Sequence, residues 1–207
     1  MRKHSSIKWA LGAALSIAVL SMVVTAGSQA VPQAVPKVPQ AVPKDDAKEF
    51  QSMVQKYIVI QKKALRKVPS IPKTTTDAAL ISKHQLQVAD AIRALRPNAM
   101  PGEIFTPWLR TTIAAAIKQQ VKGKAGADVK ATIAGDGNPK SAESPSPVKL
   151  TINGAYPDKA PLSTVPPSLL MALPVLPEGV EYRFVGHTLI LRDTKANIVV
   201  DTLPNAF

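Results

Sequence analysis

Nineteen of the 207 residues are proline, and their positions limit where this chain can form helices. Proline has no backbone N–H to donate, and its ring clashes with the preceding helical turn, so a helix usually ends before it. The segments between the prolines predict three amphipathic helices and a weaker fourth, at about 45–66, 77–95, 106–122 and 127–133. Candidate caps precede the first three: Asp45 or Asp46, Thr76 or Asp77, and Thr106 with Pro107 in the first helical position. These helices define a helical region over residues 45–134.

The first predicted helix has one apolar face and one basic face. Four of its cations, Lys62, Lys63, Arg66 and Lys67, cluster at the C-terminal end, where positive charge also complements the helix dipole. Residues 45–130 contain 15 basic and 7 acidic side chains, whereas residues 148–207 contain five of each. The net charge of +12 therefore belongs almost entirely to the helical region and the N-terminus.

Residues 135–147 are rich in turn-forming residues and predict a linker to a C-terminal part, residues 148–207. There, Val148, Leu150 and Ile152 alternate as in a half-buried strand, and residues 166–173 predict a short helix that begins after prolines. An antiparallel meander follows. The predicted fold class is α+β, with three to four N-terminal helices followed by a small antiparallel meander of three to four strands and a short helix.

The meander contains a hairpin whose register the sequence specifies. A two-residue turn at Gly186-His187 is expected, because glycine supplies the positive φ that a type II′ turn requires. This turn places Phe184 opposite Leu189 and Glu181 opposite Arg192, so that the last two form a cross-strand ion pair.

The third strand of the meander is expected to follow a four-residue loop at 193–196, which places Val200 opposite Leu189. Asp201 is interpreted as a residue of the solvated edge. In this arrangement one face of the sheet is apolar and must be covered by helices. That face consists of Val180, Tyr182, Phe184, Leu189, Leu191, Ile198 and Val200.

The first thirty residues have the arrangement of a secretory signal peptide. Three basic residues precede an apolar run from Trp9 to Val24, and Ser28-Gln29-Ala30 supplies the small residues expected before cleavage after Ala30. An uncleaved membrane anchor is the alternative, since residues 7–26 approach the roughly 20 apolar residues of a spanning helix. The expected location is the periplasm or the medium.

Residues 31–37 and 38–44 repeat one heptad, Val-Pro-Gln-Ala-Val-Pro-Lys. Proline at every third or fourth position favours an extended polyproline II conformation. The repeat is therefore interpreted as a linker between the signal peptide and the folded part. A proline-rich ligand for a partner's groove is the alternative interpretation.

Motifs for catalysis and metal binding are scarce. The chain has no cysteine, which removes disulfides, thiolate metal sites and cysteine nucleophiles. The two histidines beyond the signal peptide, His84 and His187, are interpreted as a packing residue and an exposed turn residue. No catalytic motif and no cofactor-binding motif is recognised, so an enzyme is not favoured. The alternative is an enzyme of unrecognised type with its site between the helices and the sheet.

The basic cluster, Lys62, Lys63, Arg66 and Lys67, is the candidate binding site. In an exported protein, its expected partner is anionic envelope material such as lipid headgroups or lipopolysaccharide, or another envelope protein. Nucleic acid fits the charge but not the compartment. The leading hypothesis is therefore a non-enzymatic binding or structural component of the cell envelope.

Several short motifs resemble a family of uncharacterised exported bacterial proteins. They are Glu103-Ile104-Phe105-Thr106-Pro107, Tyr156-Pro157, Leu162-Ser163-Thr164-Val165-Pro166-Pro167, Leu176-Pro177-Glu178, Glu181-Tyr182-Arg183-Phe184-Val185-Gly186 and Leu189-Ile190-Leu191-Arg192-Asp193. The resemblance covers about residues 45–207. It implies export and carries no activity.

A shorter resemblance concerns the C-terminal hairpin. Tyr182-Arg183, Val185-Gly186, Leu189, Leu191 and Ile198-Val199-x-Asp201 are similar to the hairpin of the periplasmic nickel and cobalt homeostasis family. This resemblance implies an envelope protein with metal-linked physiology, and metal homeostasis is the third functional hypothesis. The chain lacks the histidine-rich character that would favour metal binding.

Overall fold

The computed structural model describes residues 41–135, 149–156 and 165–207. In these residues five helices precede a three-stranded antiparallel sheet, so the predicted α+β class is confirmed. The predicted signal peptide, most of the Val-Pro repeat and nearly all of the 135–147 linker lie outside the described residues. The elements are α1 (Lys44–Lys67), α2 (Ala78–Leu95), α3 (Pro107–Gln120), α4 (Gly123–Gly135), α5 (Pro167–Ala172), β1 (Val180–Val185), β2 (Thr188–Asp193) and β3 (Ile198–Leu203).

The prolines set the ends of the first two helices, but only α2 has the predicted cap. α1 begins at Lys44 after Pro43 with no side-chain cap, so the prediction that Asp45 or Asp46 caps it is wrong, and both lie in the first turn, where their charge favours the helix dipole. α1 and α2 each end two residues before a proline, Pro69 and Pro97. Asp77 caps α2, because its carboxylate accepts the backbone N–H groups of Ala79 and Leu80 at 2.9 and 3.1 Å. These local signals place both ends of α2 and the C-terminal end of α1.

α4 is longer than predicted, since it begins at Gly123 rather than near residue 127. Gly123 has a φ of +72°, which glycine adopts readily after the end of α3. At Gly126 a Cβ atom would lie only 2.2 Å from the carbonyl carbon of Val121. The missing side chain therefore allows α4 to start directly against the end of α3.

The predicted register of the first hairpin is confirmed. Phe184 pairs with Leu189 and Glu181 pairs with Arg192, around a turn in which Gly186 has a φ of +56°. The sheet order is β1-β2-β3.

The predicted register of β3 is wrong. Leu189 pairs with Leu203 rather than with Val200, because the loop lies one residue later and a β-bulge interrupts the ladder between Leu191 and Arg192. The loop is displaced because Asp193 accepts the N–H groups of Lys195 and Ala196, which closes the turn after β2. The bulge gives β3 an extra residue, so that Val200 and Asp201 are both buried.

The predicted strand at residues 148–152 is also wrong. Residues 149–156 form a turn that pairs with the outer edge of β3 through one isolated bridge, Ala155 with Ile198. Asn153 has a φ of +59°, and its N–H donates to the Val199 carbonyl oxygen at 2.8 Å. The turn thereby satisfies backbone groups of an edge strand.

One hydrophobic core joins the helices to the sheet. All seven residues of the predicted apolar sheet face belong to it. Phe50 of α1 lies between Phe105 and Tyr182, with ring centroids at 5.6 and 6.2 Å. Full burial of a large apolar side chain contributes about 1.5–3 kcal/mol. Within the described residues, no helix combines the length and apolar character needed to cross a membrane.

Candidate functional site

A buried polar network lies where the helices meet the sheet, the position at which the enzyme hypothesis places a site. Asp193, at the end of β2, has no solvent-exposed surface. Its carboxylate accepts hydrogen bonds from the Tyr57 hydroxyl at 2.6 Å and from the Gln61 amide at 2.8 Å. Together with the two backbone N–H groups of the loop, it has four donors. The charge is therefore compensated without a ligand.

Tyr57 is held in its neutral form by this environment. Burial raises the pKa of its hydroxyl far above the usual value, the Asp193 charge raises that pKa further, and Arg96 opposes the shift. The guanidinium of Arg96 lies 5.5 Å from the centre of the Tyr57 ring. Tyr57 is therefore a hydrogen-bond donor to Asp193, not a proton acceptor at neutral pH.

Asp201 is a second buried carboxylate, which corrects its interpretation as a solvated edge residue. Its two oxygens accept four backbone N–H groups, those of Gly102, Ile104, Phe105 and Thr202, at 2.7–2.8 Å. Backbone amides oriented in this way stabilise a buried anion. Asp201 thus fastens the α2–α3 loop to β3.

Arg96 connects the same loop to the rest of the fold. Its guanidinium makes a two-point contact with Glu103, at 3.0 and 2.6 Å. It also donates to the Asn153 side chain and to the Val200 carbonyl oxygen, each at 3.1 Å. The Arg96 side chain is only 8% exposed. These contacts give Arg96 a structural role, because they join the α2–α3 loop to Asn153 and to β3.

The predicted ion pair between Glu181 and Arg192 is present at 2.7 Å, and Arg183 contacts the same carboxylate at 2.8 Å. Burial raises the pKa of Glu181, but hydrogen bonds from the two guanidinium groups outweigh that effect, so the pKa is lowered. This cluster is partly exposed on the sheet face away from the core. The carboxylate is fully paired, and the second guanidinium leaves the cluster with one net positive charge.

The two histidines do not form a site with carboxylates. His187 is exposed in the hairpin turn, and its ring centre lies 4.7 Å from that of Phe207. His84 is partly buried on α2, and its Nδ1 has no hydrogen-bond partner in the described part of the chain. Among residues 41–135, 149–156 and 165–207, no group of three or more metal-ligating side chains is found.

A cavity of about 440 Å³ lies between α5 and the edge strand β1. Its walls are mainly apolar, and two of the residues that line it, Leu170 and Val175, are exposed. Neither histidine lines it, and its one carboxylate, Glu181, is already paired with two arginines. The cavity has room for a side chain, and the polar groups that line it, Glu181, Tyr182 and Arg183, are hydrogen-bonded within the fold.

The structure brings the four predicted site residues together. Lys62, Lys63, Arg66 and Lys67 are all exposed on the last two turns of α1. None of them forms an ion pair with a described residue. The opposite side of the same turns, which includes Gln61, faces the core. The basic cluster is thus a surface of positive charge that no described carboxylate compensates.

Sequence reasoning missed the buried network. One signal was available, because an aspartate within the apolar run of β3 is unusual for a strand and indicates a specific partner. The partners themselves lie about 100 residues away and carry no local signature. No family model matches the chain, and no match is found among curated proteins or solved structures.

Proposed function

We propose that this protein is an exported component of the cell envelope that binds anionic surfaces through the basic cluster of α1. The observation that carries the proposal is that four adjacent cations are exposed without a carboxylate partner among the described residues. The carboxylates of Asp193, Asp201 and Glu181, by contrast, are engaged within the fold.

The expected strength of the interaction follows from the number of cations. A basic residue close to an anionic membrane surface increases the binding constant about fivefold, so four of them give an increase of several hundredfold. The interaction must weaken with salt, because the screening length falls from about 10 Å at 0.1 M to about 3 Å at 1 M.

Export is the second part of the proposal, and it rests on the signal-peptide pattern of residues 1–30. In the envelope, anionic lipid and lipopolysaccharide phosphates are abundant and nucleic acid is not the expected polyanion. The absence of cysteine suits an oxidising compartment, since no thiol can be oxidised.

Co-sedimentation of the protein with vesicles tests this function. We expect binding to phosphatidylcholine vesicles that contain phosphatidylglycerol, little binding to pure phosphatidylcholine, and release at high salt. Replacing Lys62, Lys63, Arg66 and Lys67 by glutamine should abolish most of the binding.

A matched control removes the same charge elsewhere. Lys118, Lys122, Lys124 and Lys130 are exposed on α3, on α4 and between them, and they have no carboxylate partner among the described residues. Their replacement by glutamine should leave most of the binding intact. Equal losses in the two variants would mean that net charge alone, not the basic cluster, drives association. Binding that is independent of anionic lipid and salt contradicts the proposed function.

A further inference from the structure

We infer that the surface at the end of α1 extends to Lys73 and that its ligand is a set of closely spaced phosphate groups. This inference rests on the proposed function. Residues 62–76 contain five cations and no carboxylate, and the next acidic residue, Asp77, uses its carboxylate to cap α2. The five cations, Lys62, Lys63, Arg66, Lys67 and Lys73, are called the cationic tip below.

Lys73 is held in place by an ordered turn. The N–H of Thr75 donates to the Pro72 carbonyl oxygen at 3.1 Å, which makes Lys73 and Thr74 the central residues of a β-turn. Both central residues are exposed. This turn belongs to the short connection between α1 and α2, which pack against each other. Lys73 therefore lies at the same end of the helix pair as the last turn of α1.

The cationic tip has little apolar surface to insert into a bilayer. The exposed large apolar side chains of the described residues all lie outside residues 60–85. The nearest one in the sequence, Val59, is 46% exposed and lies one turn before Lys63. Interfacial helices bind membranes through buried apolar area in addition to charge. Since the tip lacks that area, its affinity depends on the charge density of the ligand.

Phosphate monoesters meet this requirement better than carboxylates. A monoester carries a charge of about −1.5 to −2 at pH 7, so about three of them neutralise five cations. The Arg66 guanidinium can donate two parallel hydrogen bonds to one phosphate, and lysine ammonium groups bind phosphate as point charges. Singly charged carboxylates at the same spacing leave part of the tip uncompensated.

The clustered phosphates can come from a soluble polyphosphorylated molecule or from lipid headgroups, and two arms of one experiment distinguish these sources. In the soluble arm, calorimetry compares inositol hexakisphosphate with benzenehexacarboxylate, which presents six carboxylates on a similar ring. In the vesicle arm, co-sedimentation compares phosphatidic acid with phosphatidylglycerol at equal surface charge. The full chain is used in both.

We expect at least a tenfold preference for the phosphate monoester in one or both arms. A preference in the soluble arm identifies a soluble source, and a preference confined to vesicles identifies a lipid source. Lys73→Gln should lower the affinity for the preferred ligand about fivefold, whereas Lys130→Gln should leave that affinity unchanged.

Failure of this inference is distinguishable from failure of the proposed function. If monoester and carboxylate or diester bind equally well in both arms, the phosphate preference is wrong while anionic binding stands. If Lys73→Gln behaves like Lys130→Gln, the site does not extend to the turn. If no anionic probe binds in either arm, both the inference and the proposed function are wrong.

Discussion

The hydroxyl of Tyr57 on α1 donates a 2.6 Å hydrogen bond to the carboxylate of Asp193 at the end of β2, across 136 residues of sequence. Both side chains are buried in the fold. A carboxylate at this depth is stable only when its oxygens have donors. The contact therefore ties the first helix to the last hairpin and makes the position of α1 depend on β2.

Replacing Tyr57 by phenylalanine should lower the free energy of unfolding by about 2 kcal/mol, because a hydrogen bond to a charged group contributes about 1.5–3 kcal/mol. Urea denaturation measures the change. The matched control is Tyr182→Phe, which removes a hydroxyl that donates to the neutral carbonyl oxygen of Pro174 at 2.9 Å. Tyr182→Phe should lower the free energy of unfolding by only about 1 kcal/mol. A smaller loss for Tyr57→Phe than for Tyr182→Phe contradicts the importance given to the Asp193 contact.

Stability should fall at alkaline pH. Burial raises the pKa of Tyr57 and of Tyr182 in the folded protein. Above the unfolded-state pKa near 10, the unfolded chain loses these protons while the folded chain keeps them, so the stability they contribute declines as pH rises. The free energy of unfolding should fall by about 1.4 kcal/mol per pH unit for each tyrosine.

The alkaline effect can be assigned to Tyr57 by comparison with Tyr57→Phe. The stability difference between the natural protein and this variant should be constant from pH 7 to about 9 and should shrink above about pH 10. Urea denaturation across this range provides the measurement. A difference that stays constant up to pH 11 is inconsistent with a raised Tyr57 pKa.

Asp201→Asn should lower the free energy of unfolding by more than the small change in side-chain shape suggests. Each Asp201 oxygen accepts two backbone N–H groups, and the amide nitrogen of asparagine faces two of these donors in either orientation. Each unsatisfied buried donor costs about 1–3 kcal/mol. Because two donors lose their acceptor, the free energy of unfolding should fall by about 3 kcal/mol or more.

The control for Asp201→Asn is Asp90→Asn. Asp90 is 75% exposed and pairs with Arg93 one turn away on α2. An exposed ion pair contributes less than about 1 kcal/mol. Thermal and urea unfolding of the two variants give the comparison, and similar losses would show that the Asp201 amide contacts add no special stability.

Export predicts a defined N-terminus. Protein recovered from fractionated cells should begin at Val31 and should be found outside the cytoplasm, and deletion of residues 2–30 should retain it inside. N-terminal sequencing combined with fractionation checks both statements. Recovery of the uncleaved chain with the membrane supports the anchor alternative instead.

The parts of the fold that sequence predicted are those governed by neighbours in the chain. A cap of α2 at Thr76 or Asp77 is predictable, and Asp77 provides it, because its carboxylate reaches N–H groups two and three residues away. Gly186 was expected in the hairpin turn because the turn needs a positive φ. The basic cluster was found because cations on consecutive helical turns lie on one side whatever the core contains.

The errors have equally specific causes. The β3 register depends on a bulge, and the bulge brings Asp201 to N–H groups nearly 100 residues away. The strand expected at residues 148–152 is a turn because the edge of β3 is satisfied there by Asn153 and its neighbours. Alternation of apolar residues cannot reveal either partner, since it reports only which side chains are buried.

The sequence by itself determined both ends of α2, the C-terminal end of α1, the first hairpin and the cluster of cations at the end of α1, because proline, glycine and capping residues act over a few residues. Only the tertiary structure decided that Asp193, Asp201 and Arg96 are structural. A buried charge is stable only with donors or acceptors at hydrogen-bond distance, and here these come from distant segments that packing alone brings together.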